Sequence, residues 1–194
     1  MNKTKTTSVH PVDAFKDISE LHVPDIRVTY WTGGVDRNLN LFYENIKSIV
    51  LDECVPVEIK VQFETAKNVL LYSFFAYRMS TVAKSYAYSV FERSLAERIK
   101  QDIQDTKALK EVKGLKRKLQ YALDKGWLVK SDFFFVPDIS IQRDQELLDF
   151  IYNHFIDKRN ELSHEPKSLD ILWHVPEELA LLGRLINKIW RADT

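Results

Sequence analysis

Arg159, Asn160 and His164 fall within the run RNELSH and supply a permanent cation, an amide and a ring that titrates near neutral pH. These are side-chain types from which anion-binding and proton-transfer sites are made. The run closes a longer stretch, Asp144 to Pro166, in which Leu148, Tyr152, Phe155, Arg159 and Leu162 recur at helical spacing. Arg159 therefore interrupts the apolar stripe of an amphipathic helix. A guanidinium that leaves water must be paired and hydrogen-bonded, so its position there needs a reason. Pro166 disfavours the α region for Glu165, which predicts a helix end close to His164.

Other chemistries lack their residues. The sequence has no phosphate-binding glycine loop, no dinucleotide fingerprint, no HExxH and no nucleophile elbow. His10, His22, His154, His164 and His174 are not spaced like zinc pairs, and no metal or cofactor is expected. One cysteine, Cys54, excludes an internal disulfide and is expected to be a small buried hydrophobe beside Pro56. Lys+Arg and Asp+Glu both number 28, so any basic site must be local. One such cluster spans Lys107 to Lys118; within it Lys113, Lys116, Arg117 and Lys118 are candidate contacts to an RNA backbone, or simply a solvated charge run. Trp127, Phe133, Phe134 and Phe135 suit base stacking, or core or dimer packing, with packing the commoner use of aromatics.

The elements that must position these residues read as helices. Residues 1–35 form an arm or strap in which Ile26 to Thr32 (IRVTYWT) is β-prone, and 36–194 form one helical domain. Asp36 is the expected cap of a helix with Leu39, Phe42, Ile46, Ile49 and Val50 on its apolar face. From Val57 to Lys113 there is neither glycine nor proline, a span too long for one ordinary helix, which predicts two helices broken between about Tyr72 and Ser80. Ile59, Phe63, Ala66 and Leu70 mark the core face of the first; Ala83, Ala87, Val90, Phe91, Leu95 and Ile99 mark that of the second. Small Ala76, Ala83 and Ala87 suggest close helix packing. Leu115, Leu119, Ala122 and Leu123 make a short helix closed by Lys125 and a C′ glycine, Gly126. Trp127 to Ile141 reads as an ordered loop or hairpin, and a last helix opens at Pro176 with Glu177 and Glu178, burying Leu179, Leu182, Ile186 and Ile189. The sum is an all-α bundle of five or six helices. The polar start MNKTKTTSVHP and the brevity of the uncharged segment Asn68 to Tyr77 predict a soluble, cytoplasmic chain with no membrane partner.

The RNELSH run resembles the R-x4-6-H motif of the HEPN superfamily, all-α domains of bacterial toxins, abortive-infection systems and RNA-processing factors. Asn160 stands where that family often has a polar residue, and AKSYAYSVFERSLAERI at Ala83 to Ile99 resembles the helix that often precedes the motif. The likeness covers about residues 57–190. It implies long paired helices, a homodimer, and a metal-independent endoribonuclease in which the RNA 2′-hydroxyl attacks the adjacent phosphate. In that reading His164 is the acid/base, Arg159 the phosphate clamp and Asn160 an orienting hydrogen-bonder. It further implies a toxin–antitoxin or phage-defence setting, with a cognate antitoxin as partner.

Geometry constrains this reading. Five residues turn a straight helix by about 500°, leaving Arg159 and His164 about 140° apart. Either the helix ends before His164 or a second copy of the chain completes the site. Two readings of another class stand beside it. The same cleft would bind nucleotide or RNA, or dimerise, without catalysis; or the bundle is purely structural, Arg159 pairing with Glu92 or Glu97 and His164 capping its helix. For Glu92, between Phe91 and Leu95, a plain surface acid is the favoured role.

Overall fold

The computed structural model describes residues 15–30, 38–133, 152, 153, 155–157, 160 and 172–191. Its α-helices are α1 (Ile26–Tyr30), α2 (Leu39–Lys47), α3 (Val57–Tyr72), α4 (Met79–Asp102), α5 (Thr106–Glu111), α6 (Leu115–Asp124) and α7 (Val175–Arg191). Residues 152, 153, 155–157 and 160 are also helical, and no strand occurs among the described residues. The all-α expectation holds. The five or six helices expected omit the two short ones, α1 and α5.

Helix α4 is the centre of the bundle, packing on α3, α6 and α7. The predicted break after Tyr72 exists: the chain leaves α3 there and re-enters a helix at Met79, making α3 and α4 a helical hairpin. The α3 stripe Ile59, Phe63, Ala66 and Leu70 is buried, as are Ala83, Ala87, Val90, Phe91, Leu95 and Ile99 of α4. Ala76 is exposed in the connecting turn, so only Ala83 and Ala87 serve close packing. Helix α4 also buries Ser80, Thr81, Lys84, Ser94 and Arg98, leaving Val82, Tyr86, Ser89 and Arg93 as a solvent stripe. Being covered on several sides, it shows little amphipathic contrast in sequence.

Ser94 and Arg98 of this set are partnered, whereas Thr81 Oγ1 is buried with no hydrogen-bond partner among the described residues. Trp190 Nε1 donates to Ser94 Oγ at 2.9 Å, and Arg98 Nε donates to the Ile189 carbonyl at 3.3 Å. The Arg98 guanidinium also stands 4.6 Å from the Trp127 ring centre, a cation–π contact inside the core. On α3, Lys67 is buried yet reaches the Ile49 carbonyl at 2.7 Å and Glu64 at 2.8 Å.

Two boundaries differ from expectation. Asn38, not Asp36, caps α2, its side chain accepting from Leu41 N–H at 3.0 Å. The helix then stops at Lys47, so Val50 falls out of register and is exposed, while Ile49 stays buried. The following loop is held from the far end of the chain. Asn187 of α7 accepts from Asp52 N–H at 2.8 Å and donates to the Val50 carbonyl at 3.0 Å. Cys54 is exposed in this loop and Val55 takes the buried place, which corrects the reading of the cysteine as a core residue. Gly183 lets α7 approach closely: a Cβ there would lie 3.2 Å from Ile49 Cγ2 and 3.3 Å from Phe63 Cζ.

The segment read as a strand or strap is helical over Ile26–Tyr30. Asp25 overrides β propensity by capping it, accepting from Arg27 N–H at 3.0 Å and binding the Arg27 guanidinium at 2.8 and 2.9 Å. The same carboxylate accepts from Tyr77 N–H at 3.0 Å, while Asp25 N–H donates to the Phe74 carbonyl at 3.0 Å. Burial pushes the Asp25 carboxyl up, but the hydrogen bonds from Arg27 and Tyr77 together outweigh it and hold it below the usual carboxylate range. Arg27 stacks over the Tyr77 ring, and the Tyr77 hydroxyl accepts from Leu172 N–H at 3.1 Å. Residues 25, 77 and 172 thus meet at the α3–α4 turn.

Helix α6 follows expectation. Leu115, Leu119 and Ala122 are buried, and Gly126 at φ 70° ends it in the left-handed region. Lys125 and Tyr121 both donate to Asp102 at the end of α4; these bonds, Lys125's the larger, hold the Asp102 carboxyl below its usual range. No helix among the described residues is long and apolar enough to cross a membrane.

Candidate functional site

The stripe that leads into the RNELSH run is anchored through Tyr152 and Phe155. Both are buried, and both lie on one helix face at i, i+3 spacing. The Phe155 ring meets Tyr88 and Phe91 of α4 at centroid distances of 5.8 and 5.7 Å, and Phe133 at 5.2 Å. Aromatic pairs of this kind add about 0.5–1.5 kcal/mol each beyond the area they bury. The Tyr152 hydroxyl donates to Gln120 Oε1 of α6, and Lys116 Nζ stands 5.3 Å from its ring centre. This helix is therefore seated on α4, on α6 and on the turn Lys130–Phe133.

Asn160 is helical and solvent-exposed. It lies about 140° around the helix from Phe155, so its exposure matches the burial of the opposite side. Leu148, Arg159, Leu162 and His164 lie outside the described residues, as does any pairing of Arg159 with Glu92 or Glu97. Glu92 itself is not a plain surface acid. It is largely buried and pairs with Lys118 at 2.9 Å. Glu97 pairs with Lys100 at 2.8 Å on the surface.

A polar cluster that pattern reading passed over adjoins Phe155. Lys84 is 2% exposed, and its ammonium lies 2.6 Å from Glu178 Oε2. Tyr88 donates to the other carboxylate oxygen at 2.8 Å. Glu178 sits in the first turn of α7, where the helix dipole favours a carboxylate. The signal was available: Lys84 stands beside Ala83 and three residues before Ala87, inside the α4 face that the apolar positions define. The argument applied to Arg159, a cation within an apolar stripe, applies equally to it.

The four candidate RNA contacts separate into two pairs. Lys116 and Arg117 are exposed, Lys116 over Tyr152 and Arg117 donating to the Glu111 carbonyl at 2.9 Å. Lys113 and Lys118 instead line a pocket between α4, α5 and α6. Trp127 and Phe133 are buried in the core, which removes both as base-stacking platforms; Phe134 and Phe135 lie outside the described residues. Trp127 packs on Tyr121 and under Arg98, a use that only the tertiary structure reveals. No protein-family model matches the chain, and neither a curated protein nor a solved structure matches it.

Proposed function

We propose that this chain is a HEPN-like, metal-independent endoribonuclease acting as a homodimer, with Arg159, Asn160 and His164 as its site. The observation that carries the reading is the seating of the helix before RNELSH: Tyr152 and Phe155 are buried against α4 and α6, whereas Asn160 is exposed. A rigidly packed helix that turns a polar residue of the run to solvent is a suitable base for a reactive group. Exposed Lys116 and Arg117 on the adjoining α6 supply positive charge for an RNA backbone beside it.

In the proposed reaction His164 takes the proton of the 2′-hydroxyl, whose oxygen attacks the adjacent phosphorus. The bond to the 5′-oxygen breaks, that oxygen gains a proton, and a 2′,3′-cyclic phosphate remains. Arg159 holds the negative charge that builds on the equatorial oxygens, and Asn160 orients the phosphate. The angle of about 140° between Arg159 and His164 on a straight helix favours a site pooled from two protomers. A toxin or phage-defence role, with an antitoxin as partner, belongs to the same proposal.

The test is cleavage of a mixed-sequence RNA in EDTA by the wild type, Arg159→Ala and His164→Ala. The wild type should leave cyclic-phosphate ends, and each variant should lose about 10²–10⁴ in rate. Mixing the two inactive variants should restore part of the activity if one protomer's arginine works with its partner's histidine. Equal background cleavage in all samples would sink the enzymatic reading and leave a non-catalytic RNA-binding or dimerisation module.

A further inference from the structure

The C-terminal half of α4, helix α5 and the start of α6 line a half-open cavity of about 200 Å³. Its walls are aliphatic, from Ala96, Ile99, Leu109 and Val112, and its rim is cationic, from Lys100, Lys113 and Lys118. Gly114, at φ 82°, turns the chain from α5 into α6 and forms one lip. Two of the rim lysines are held by acids of α4, Lys100 by Glu97 and Lys118 by Glu92. Lys113 is exposed and has no ion-pair partner among the described residues.

We propose that this cavity binds a small amphiphilic anion, an aliphatic chain ending in a carboxylate, with the chain against the α4–α5 wall and the head group at Lys113. The walls decide the body of the ligand and the rim its charge. Among the described residues no aromatic ring lines the cavity, and the only side-chain hydrogen-bonding groups on it are the three ammonium groups. A nucleobase would thus find neither a stacking platform nor an acceptor for its amino groups, whereas an alkyl chain finds four aliphatic side chains. A lysine with no ion-pair partner among the described residues, beside an apolar pocket, matches a head group that must stay partly in water. The volume is below the usual range for drug-sized ligands, which limits the ligand to a short chain. The assignment uses no residue of the RNELSH run and stands or falls without the ribonuclease reading.

The experiment is titration of sodium octanoate into the full chain, followed by methyl NMR and by calorimetry. Saturable shifts are expected at the Ala96, Ile99, Leu109 and Val112 methyl groups. Lys113→Glu should weaken binding by about fivefold or more, since a rim charge of this kind contributes about 1 kcal/mol. As Lys113 is exposed, this change leaves the fold alone, and circular dichroism verifies that. Ala96→Phe, which fills the cavity, should abolish the shifts. Any of four results overturns the proposal: no saturable binding, binding unaffected by Lys113→Glu, equal binding of neutral octanamide, or tighter binding of adenosine 5′-monophosphate, which would make this a nucleotide site.

Discussion

Gly183→Ala sets two effects of similar size against each other at a place where the geometry decides the sign. Glycine within a helix is less favourable than alanine by about 1 kcal/mol, so on propensity alone the change would stabilise α7. The added Cβ, however, would lie 3.2 Å from Ile49 Cγ2 and 3.3 and 3.6 Å from Phe63 Cζ and Cε1. Carbon pairs prefer about 3.5–4.0 Å, so at least one neighbour must move. Phe63 is fully buried and cannot yield without disturbing α3; Ile49, in the loop after α2, is 7% exposed and can give only in part. Overpacking of this kind costs about 1–3 kcal/mol, which leaves a net loss of about 1 kcal/mol. Urea unfolding monitored by circular dichroism should show a lower midpoint with an unchanged slope. In an Ile49→Ala background, where Cγ2 is gone, the penalty should shrink to the part owed to Phe63, a coupling that a double-mutant cycle reads directly. Stabilisation by about 1 kcal/mol from Gly183→Ala alone would refute the reasoning, because it would mean that α7 has room to spare.

Three other changes have definite signs. Glu178→Gln removes the carboxylate that faces buried Lys84, and should destabilise by about 3 kcal/mol, the lower end of the buried-pair range because Glu178 is 18% exposed; a loss below about 0.5 kcal/mol in urea titration would show that Lys84 does not depend on it. Asn38→Ala should lose about 1 kcal/mol through the α2 cap, and Asn38→Ser should recover most of that in the same titration. Asp25 is held below its ordinary pKa of 3.8, so its contribution is complete above that value and disappears as the pH falls through the lower folded value. Unfolding midpoints at pH 6 and pH 3 should therefore fall further for the wild type than for Asp25→Asn, and parallel falls would exclude Asp25 as an acid-labile group.

Periodicity was a sound guide to the apolar stripes of the helices. The α3 and α4 stripes, the break after Tyr72, the closure of α6 at Gly126 and the core face of α7 all lie where apolar spacing places them. It failed where a single long-range contact overrides local preference. Ile26–Tyr30 reads as β-prone from its branched residues, yet becomes helical because Asp25 caps it and docks on Tyr77, 52 positions away. Lys67 and Arg98 were invisible because their burial depends on partners at Ile49 and Ile189 that no local pattern announces, and for Lys84 the α4 stripe signals burial but not its partner Glu178. Of the helix that leads into RNELSH, sequence correctly supplied the buried Tyr152–Phe155 stripe. It could not show that Lys113 and Lys118 diverge from Lys116 and Arg117, since that division follows from how α5 turns into α6 at Gly114.

The meeting of residues 25, 77 and 172 also bears on how the molecule opens and closes. The α3–α4 hairpin is assembled from contacts near in sequence, whereas the bonds from Tyr77 to Asp25 and Leu172 span 52 and 95 positions. Such closures are entropically late events, so the hairpin forms first and the two flanks dock on its turn afterwards. In reverse, breaking the Tyr77 contacts loosens both flanks locally, around Asp25 and Leu172, without separating α3 or α7 from α4. Native-state hydrogen exchange should accordingly show the Val28, Tyr77 and Leu172 amides sharing one opening free energy, well below that of the Leu95 and Ile99 amides. The two flanks then behave as one cooperative unit, hinged on a turn that stays folded while they loosen.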